Sequence, residues 1–191
     1  MGVWERYWGG RRQRILFVPR LLFNKLFILR LTDYVLGSQM LEVGSGTSNC
    51  MSLLREYGYT CVGIDRSELA VRLAERANHS IVRADAAFLP FKDQTFDMAY
   101  AQGLFEHLLD VEIRSIILEM KRVAKRVAFT LPPKRGLFNI AENLANLIKM
   151  EFIFPKARYF SKNEVKNILR DIFNVLRIEW FLVLNYFVTA E

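Results

Sequence analysis

Between residues 39 and 132 short apolar runs alternate with amphipathic helical stretches, and this alternation restricts the fold more than any single motif does. The runs "QMLEV", "YTCVGID", "SIVRAD", "FDMAYAQ" and "RVAFTLP" read as strands. Between them stand helical stretches such as "SNCMSLLREYG", closed by Gly58, and "ELAVRLAERA", which Ser67 is placed to cap. Strands joined through crossover helices pair in parallel, and a parallel sheet needs helices on both faces to cover its apolar side chains. Near the end, Ser161 and Glu164 form a capping-box pattern that opens the helix "KNEVKNILRDI". Two β-rich runs, "FNVLRIEW" and "LVLNYFVTA", follow with only a short join, which predicts an antiparallel pairing at the sheet edge. The expected architecture is α/β: a seven-stranded, mainly parallel sheet with helices on both faces and an antiparallel final strand.

Two segments stand outside that rhythm. Residues 1–37 hold an apolar helix, "PRLLFNKLFILRLTDYVL", with Pro19 at a tolerated early position and Gly37 as its stop. No uninterrupted apolar stretch there approaches the ~20 residues that a membrane span needs. Of the net charge of +7, residues 1–30 carry +6, because seven basic side chains face the single acid Glu5. Residues 133–160, "PPKRGLFNIAENLANLIKMEFIFPKARYF" with its flank, carry an extra helix and five aromatics and read as an insert longer than a simple connection. The domain reading is therefore a basic, aromatic N-terminal lid over 1–37 and one domain over 38–191. Cys50 and Cys61 are the only cysteines, too few for a disulfide framework and without metal-ligand spacing. No metal is expected, and the setting is read as cytoplasmic. The opening "MGVWERYWGGRRQR" does not have the form of a secretory signal.

The stretch "MLEVGSGTSNC" joins the first strand to the first helix, at the strand ends where open α/β sheets bind ligands. A dinucleotide fingerprint beginning at Gly44 and Gly46 would need glycine at 49, where Asn49 stands. The phosphate-binding G-K-[ST] is absent as well. Glu42 lies two residues before Gly44, and a carboxylate there repels a pyrophosphate and attracts a cation. Asp65 ends the second strand, a position suited to ribose hydroxyls, and Asp85 is expected to end the third. Three acids around a glycine loop describe a cationic nucleoside ligand without phosphate. S-adenosylmethionine, with its sulfonium and α-amino groups, fits. Helix capping would also place acids there, but their common location at one sheet edge makes it the less economical explanation.

The blocks "LEVGSGTSN", "VGIDRSELAVRLA", "RADAAFLPFKDQTFDMAYAQGLFEHL" and "LEMKRVAKRVAFTLP" resemble, in order, those of the class I S-adenosylmethionine-dependent methyltransferases, and most nearly the quinone-biosynthesis branch. The resemblance covers residues 38–132 closely and the last 30 residues loosely. It implies a Rossmann-like fold, S-adenosylmethionine as cofactor and S-adenosylhomocysteine as product. It places Glu42, Gly44 and Gly46 near the methionine moiety and Asp65 on the ribose, with Arg66 beside the adenine. Asp85 and the backbone of Ala86 would read the adenine amino edge, and Ala101 and Gln102 would flank the methionine portion. Two departures stand out: Ser48 replaces a third glycine, and "KRVAKRVAFT" lacks the customary P-G-G turn before the fifth strand.

In the same layout His107 lies near the acceptor and is the candidate catalytic residue, able to take a proton during transfer. Glu106 stands in the same position. Methyl transfer needs only alignment of nucleophile, methyl and sulfur, so a packing histidine is the competing explanation. The resemblance implies that the insert 133–160, after the fifth strand, lies on the acceptor side, and the expected acceptor is a small molecule or lipid-like. Residues 1–30 would serve as lid, or as a contact to an acidic membrane or RNA. An RNA methyltransferase and a non-catalytic cofactor-binding protein are the alternatives. Against the former, "AYAQGLF" lacks the Asn/Asp-Pro-Pro-aromatic motif of base-amino methylation.

Overall fold

The computed structural model describes residues 17–136, 139–140, 157–174, 176–182 and 185–191. Seven strands form one sheet: β1 (Gln39–Val43), β2 (Thr60–Asp65), β3 (Ile81–Arg83), β4 (Phe96–Ala101), β5 (Ala124–Leu131), β6 (Leu176–Phe181) and β7 (Asn185–Ala190). Their order is β3-β2-β1-β4-β5-β7-β6. The first five pair in parallel, and β7 runs antiparallel to both β5 and β6. The helices are α1 (Phe17–Thr32), α2 (Asn49–Glu56), α3 (Glu68–Arg76), α4 (Asp110–Val123) and α5 (Lys162–Ile168). The expected Rossmann-like architecture, with its antiparallel final strand, is the one observed.

Residue parity decides what each face buries. Leu41 and Val43 of β1, Ala99 and Ala101 of β4, Val127 and Phe129 of β5 and Val188 of β7 join one core. That core is closed by Ile113, Ile117 and Met120 of α4 and by Val165 and Ile168 of α5. The alternate residues Met40, Met98, Tyr100, Ala128 and Phe187 face the other way, against Phe27, Ile28 and Leu31 of α1 and Cys50, Met51 and Leu54 of α2. Successive strand side chains point to opposite faces, so both sets must be apolar. The turn from β1 to β4 in strand order reverses the direction of winding, and it opens the crevice at the C-terminal ends of these two strands.

Several boundaries differ from the sequence expectation, each for a visible reason. Helix α1 stops at Thr32 rather than Leu36, because Tyr34 N–H turns back to the Leu31 carbonyl (3.0 Å). The Tyr34 hydroxyl then donates to Glu179 of β6 (2.9 Å), and Arg30 pairs with the same Glu179 and with Asp33. Strand β3 ends at Arg83, two residues short of Asp85. Helix α4 runs directly into β5, without the turn that a P-G-G would make. Gln94 takes over there: its side-chain amide donates towards the carbonyls of Lys121, Arg122 and Ala124 (3.2–3.4 Å), and its backbone N–H donates to Arg122 (2.9 Å). A side chain from the β3–β4 connection thus satisfies carbonyls that the helix end leaves open. The caps expected at Ser67 and at Ser161 with Glu164 are both formed.

Phe27 is the centre of the α1 face. It is fully buried, with ring centroids of Tyr100, Phe187 and Phe181 at 5.8, 5.9 and 6.4 Å. Truncation leaves a cavity that these rings cannot collapse into, so Phe27→Ala is expected to cost about 3–5 kcal/mol, read as a lowered midpoint in urea unfolding.

Candidate functional site

The loop after β1 is built on backbone conformations that few side chains accept. Gly44 has φ +69°, Gly46 φ +55° and Ser48 φ +58°. A Cβ on Gly44 would lie 2.9 Å from the Leu104 side chain, so the β4–α4 connection packs directly over the loop. Ser45 N–H donates to the Ile64 carbonyl (2.9 Å), and Ser48 N–H closes back on the Ser45 carbonyl (2.8 Å). The hydroxyl of Ser45 sits against Gly63, where a Cβ would meet it at 2.7 Å. Gly63 is thus a site glycine that motif reading passes over, its only sequence signal being a glycine inside a strand. The hydroxyls of Ser45 and Ser48 are buried without a hydrogen-bond partner among the described residues.

Asp65 holds this loop. Its Oδ2 accepts from the Gly46 N–H (2.8 Å) and its Oδ1 from the Ser67 N–H (2.8 Å), tying the first loop to the start of α3. Burial pushes its pKa up, and the two backbone donors oppose that shift. Arg66 beside it is exposed. Asp85 departs from expectation. It lies in the loop beyond β3, exposed, with Oδ1 accepting from the Ala87 N–H (2.9 Å) and its carbonyl accepting from Phe88 N–H (3.0 Å). This is an Asx-type turn, formed because Asp65 supplies the last carbonyl that β3 reaches, to Ala84 N–H (3.2 Å). Ala86 follows, half-buried against the α4-side core.

Glu42 lies on the face of the sheet that α1 and α2 cover, opposite Tyr100 in register and only 5% exposed. Its charge adds to the burial that pushes the Cys61 thiol far up, and it does the same to the Tyr100 hydroxyl. A carboxylate this deep is costly unless a cation or strong donors compensate it. Ala101 is fully buried at the end of β4. Gln102, next in the chain, accepts from the Cys50 thiol (3.2 Å) and donates to Asn24 Oδ1 (3.3 Å). Asn24, 5% exposed, is the one polar residue on the buried side of α1 in that stretch, and it anchors the helix beside the crevice. Its signal in the sequence is an asparagine inside "LLFNKLFIL".

His107 and Glu106 lie in a 3₁₀ turn, Phe105–His107, directly after Gly103, whose φ is +69°. His107 is half-buried. The Glu106 carbonyl accepts from Arg158 N–H (2.8 Å), where the chain returns after the insert, and Phe160 N–H continues to the Pro132 carbonyl (2.9 Å). Of the aromatics of the insert, Phe160 is fully buried in the main core, and Phe138, Phe152 and Phe154 lie outside the described residues. Residues 1–16 do too, with the side chains up to Leu21. Beyond them, Lys25 is exposed between exposed Leu22 and Leu29, whereas Arg30 is committed to its ion pairs. Among the described residues no helix is long and apolar enough to cross a membrane, and no His/Cys/Asp/Glu group is arranged to hold a metal.

Known proteins resemble this chain in sequence over its central part and in fold. Residues 41–129 match the family described as methyltransferase domain. Norajmaline N-methyltransferase of Rauvolfia serpentina is 35% identical over 44% of this chain and 32% of its own length. Demethylmenaquinone methyltransferase of Corynebacterium urealyticum is 32% identical over 50% of this chain and 41% of its own. The chain thus spans less than half the length of these curated relatives. Among solved structures, magnesium protoporphyrin IX methyltransferase from Synechocystis with bound S-adenosylhomocysteine superposes with a TM-score of 0.69. That match has 18% identity and covers 98% of this chain and 91% of the other, a likeness of fold.

Ser48 offers a direct check of the loop. It occupies a left-handed conformation that costs a non-glycine residue roughly 1–2 kcal/mol, against about 0.5–1 kcal/mol of extra backbone entropy that glycine loses on folding. Ser48→Gly is therefore expected to raise stability by about 0.5–1 kcal/mol, seen as a higher urea midpoint at unchanged slope.

Proposed function

We propose that the chain is a class I S-adenosylmethionine-dependent methyltransferase, its residues 41–129 matching a methyltransferase domain, and that it methylates a small-molecule or lipid-like acceptor. The observation that carries this reading is the buried Glu42 carboxylate at the head of a glycine loop whose shape is locked by Asp65. A carboxylate there attracts a cationic ligand and repels a phosphate. The residues present fit the cofactor. Ser45 and Ser48 bring buried hydroxyls with unused hydrogen-bonding capacity, and Gly44 and Gly46 let the backbone approach closely. Asp65 retains lone pairs beyond the two given to backbone N–H groups, enough to accept from ribose hydroxyls. Arg66, Asp85 and Ala86 line the adenine side, with Ala101 and Gln102 on the methionine side. When bound, S-adenosylmethionine supplies a methyl group on an electron-poor sulfur, and the chain's task is to align the acceptor in line with it.

The acceptor class rests on two relatives and on the insert. Two relatives are named for the acceptors norajmaline and demethylmenaquinone, and the insert on the acceptor side is aromatic. Both cysteines are free thiols, which supports a reducing compartment such as the cytoplasm. Lys25 flanked by exposed Leu22 and Leu29 favours an acidic lipid surface over RNA as the contact for residues 1–30, because apolar side chains gain nothing from a phosphate backbone. Co-sedimentation with phosphatidylserine vesicles, lost at high salt, is the expected outcome; retention on RNA alone would favour the nucleic-acid reading.

Calorimetry tests the core of the proposal. S-adenosylmethionine and S-adenosylhomocysteine are both expected to bind, and Glu42→Gln is expected to weaken S-adenosylmethionine at least about tenfold, the equivalent of ~1.4 kcal/mol. Folded protein that binds neither at millimolar ligand would refute it. Methyl label offered with lipid, RNA, protein and metabolite fractions then identifies the acceptor class, and cofactor binding without transfer to any fraction would mark a non-catalytic protein.

A further inference from the structure

One ionisable group beside the crevice is left without a role by cofactor binding. The Oε2 oxygen of Glu106 is sealed from water and has no hydrogen-bond partner among the described residues. Buried oxygens are almost always satisfied, and an exception calls for a reason. The side chain folds back towards Gly103, with Oε1 3.7 Å from where a Cβ would stand, an ordinary van der Waals distance. Two residues before it, Leu104 covers Gly44 of the cofactor loop. On the other side, the Glu106 carbonyl is bound by Arg158, at the return of the acceptor-side insert. The carboxyl group is thus held between the cofactor loop and the segment expected to meet the acceptor.

We propose that Glu106, rather than His107, is the catalytic residue that receives the proton of a protic acceptor, a hydroxyl or an amine, during methyl transfer. This rests on the methyltransferase reading above. The acceptor lone pair forms the new bond to the methyl carbon as the carbon–sulfur bond breaks. The bonding pair goes to sulfur, which becomes a neutral thioether, and the O–H or N–H proton moves to the Glu106 carboxylate. Charge balances: one cation and one carboxylate yield two neutral groups. Burial lifts the Glu106 carboxyl to about 7, where a carboxylate is a far better base than in water while half of it remains ionised at neutral pH. The other titratable groups on the elements around it are His107 on the same turn, Asp110 at the start of α4, and Arg158, which pairs with Asp110 at 2.6 Å and stacks over Phe160. That ion pair is internally neutral and leaves desolvation as the main influence on Glu106.

The experiment measures methyl-label transfer from S-adenosylmethionine to a phenol, a primary amine and the small-molecule fraction of a cell extract, between pH 5.5 and 9, for wild type, E106Q, E106D and H107N. S-adenosylhomocysteine affinity is measured alongside by calorimetry. The expected result is a kcat lower by about 10²-fold or more in E106Q, with unchanged S-adenosylhomocysteine affinity and loss of the rising limb near pH 7. E106D should restore part of the rate, and H107N should keep the limb. The same carboxyl gives a second readout. Its folded pKa lies above the unfolded value, so wild-type stability should fall as pH rises through the interval up to about 7, and E106Q should remove that slope. Wild-type rate and pH profile in E106Q would overturn the proposal while leaving the methyltransferase reading intact. Wild type that binds S-adenosylhomocysteine but transfers no label overturns it too, and wild type that binds no cofactor removes the broader reading instead.

Discussion

Two hydrogen bonds to one carboxylate organise the ligand end of this molecule. Asp65 accepts from Gly46 on one oxygen and from Ser67 on the other, so the loop after β1 and the start of α3 are fixed to the end of β2. The geometry is only available because β1 and β2 are in parallel register, with Val43 opposite Ile64, which brings the two loops to the same edge. Everything that follows in the crevice inherits that placement. Ser45 rests on Gly63, Leu104 rests on Gly44, and Ser48 is held in a conformation that its own side chain disfavours.

The polar groups near this edge divide into two kinds. Asn24, Gln102 and Cys50 form a chain of side-chain hydrogen bonds, and they fasten α1 to the end of β4. Ser45, Ser48 and Glu106 are buried with an oxygen that no described residue satisfies. The first kind is what a folded core requires of its polar residues. The second is what a site for a polar ligand retains, because a hydrogen bond withheld inside the protein is one the ligand can make. Acids and hydroxyls gather at the C-terminal strand ends, while apolar side chains of strict alternating parity fill the sheet below them.

Much of this was legible beforehand where the signal was local. Strand runs, the caps at Ser67 and at Ser161 with Glu164, and the position of the glycine loop all depend on near neighbours in the chain. The structure departs from the local signal where distant residues intervene. Glu179 of β6 helps to fix the end of α1, Gln94 replaces a missing turn after α4, and Asp85 folds into a turn of its own once β3 runs out of partners on β2. Asn24 and Gly63 were present as oddities of composition, but nothing near them in sequence says that they meet Gln102 and Ser45.

The sequence by itself determined the α/β class, the helical and extended segments, and the acids Glu42 on β1 and Asp65 at the end of β2. These follow from periodicity, capping chemistry and charge, which act over a few residues. Only the tertiary structure decided that Glu42 is buried, that Asp65 spends both oxygens on backbone N–H groups, and that one carboxylate oxygen of Glu106 is sealed from water. Burial and hydrogen-bond satisfaction belong to the packed whole, since they depend on which strand lies beside which and on what covers the face.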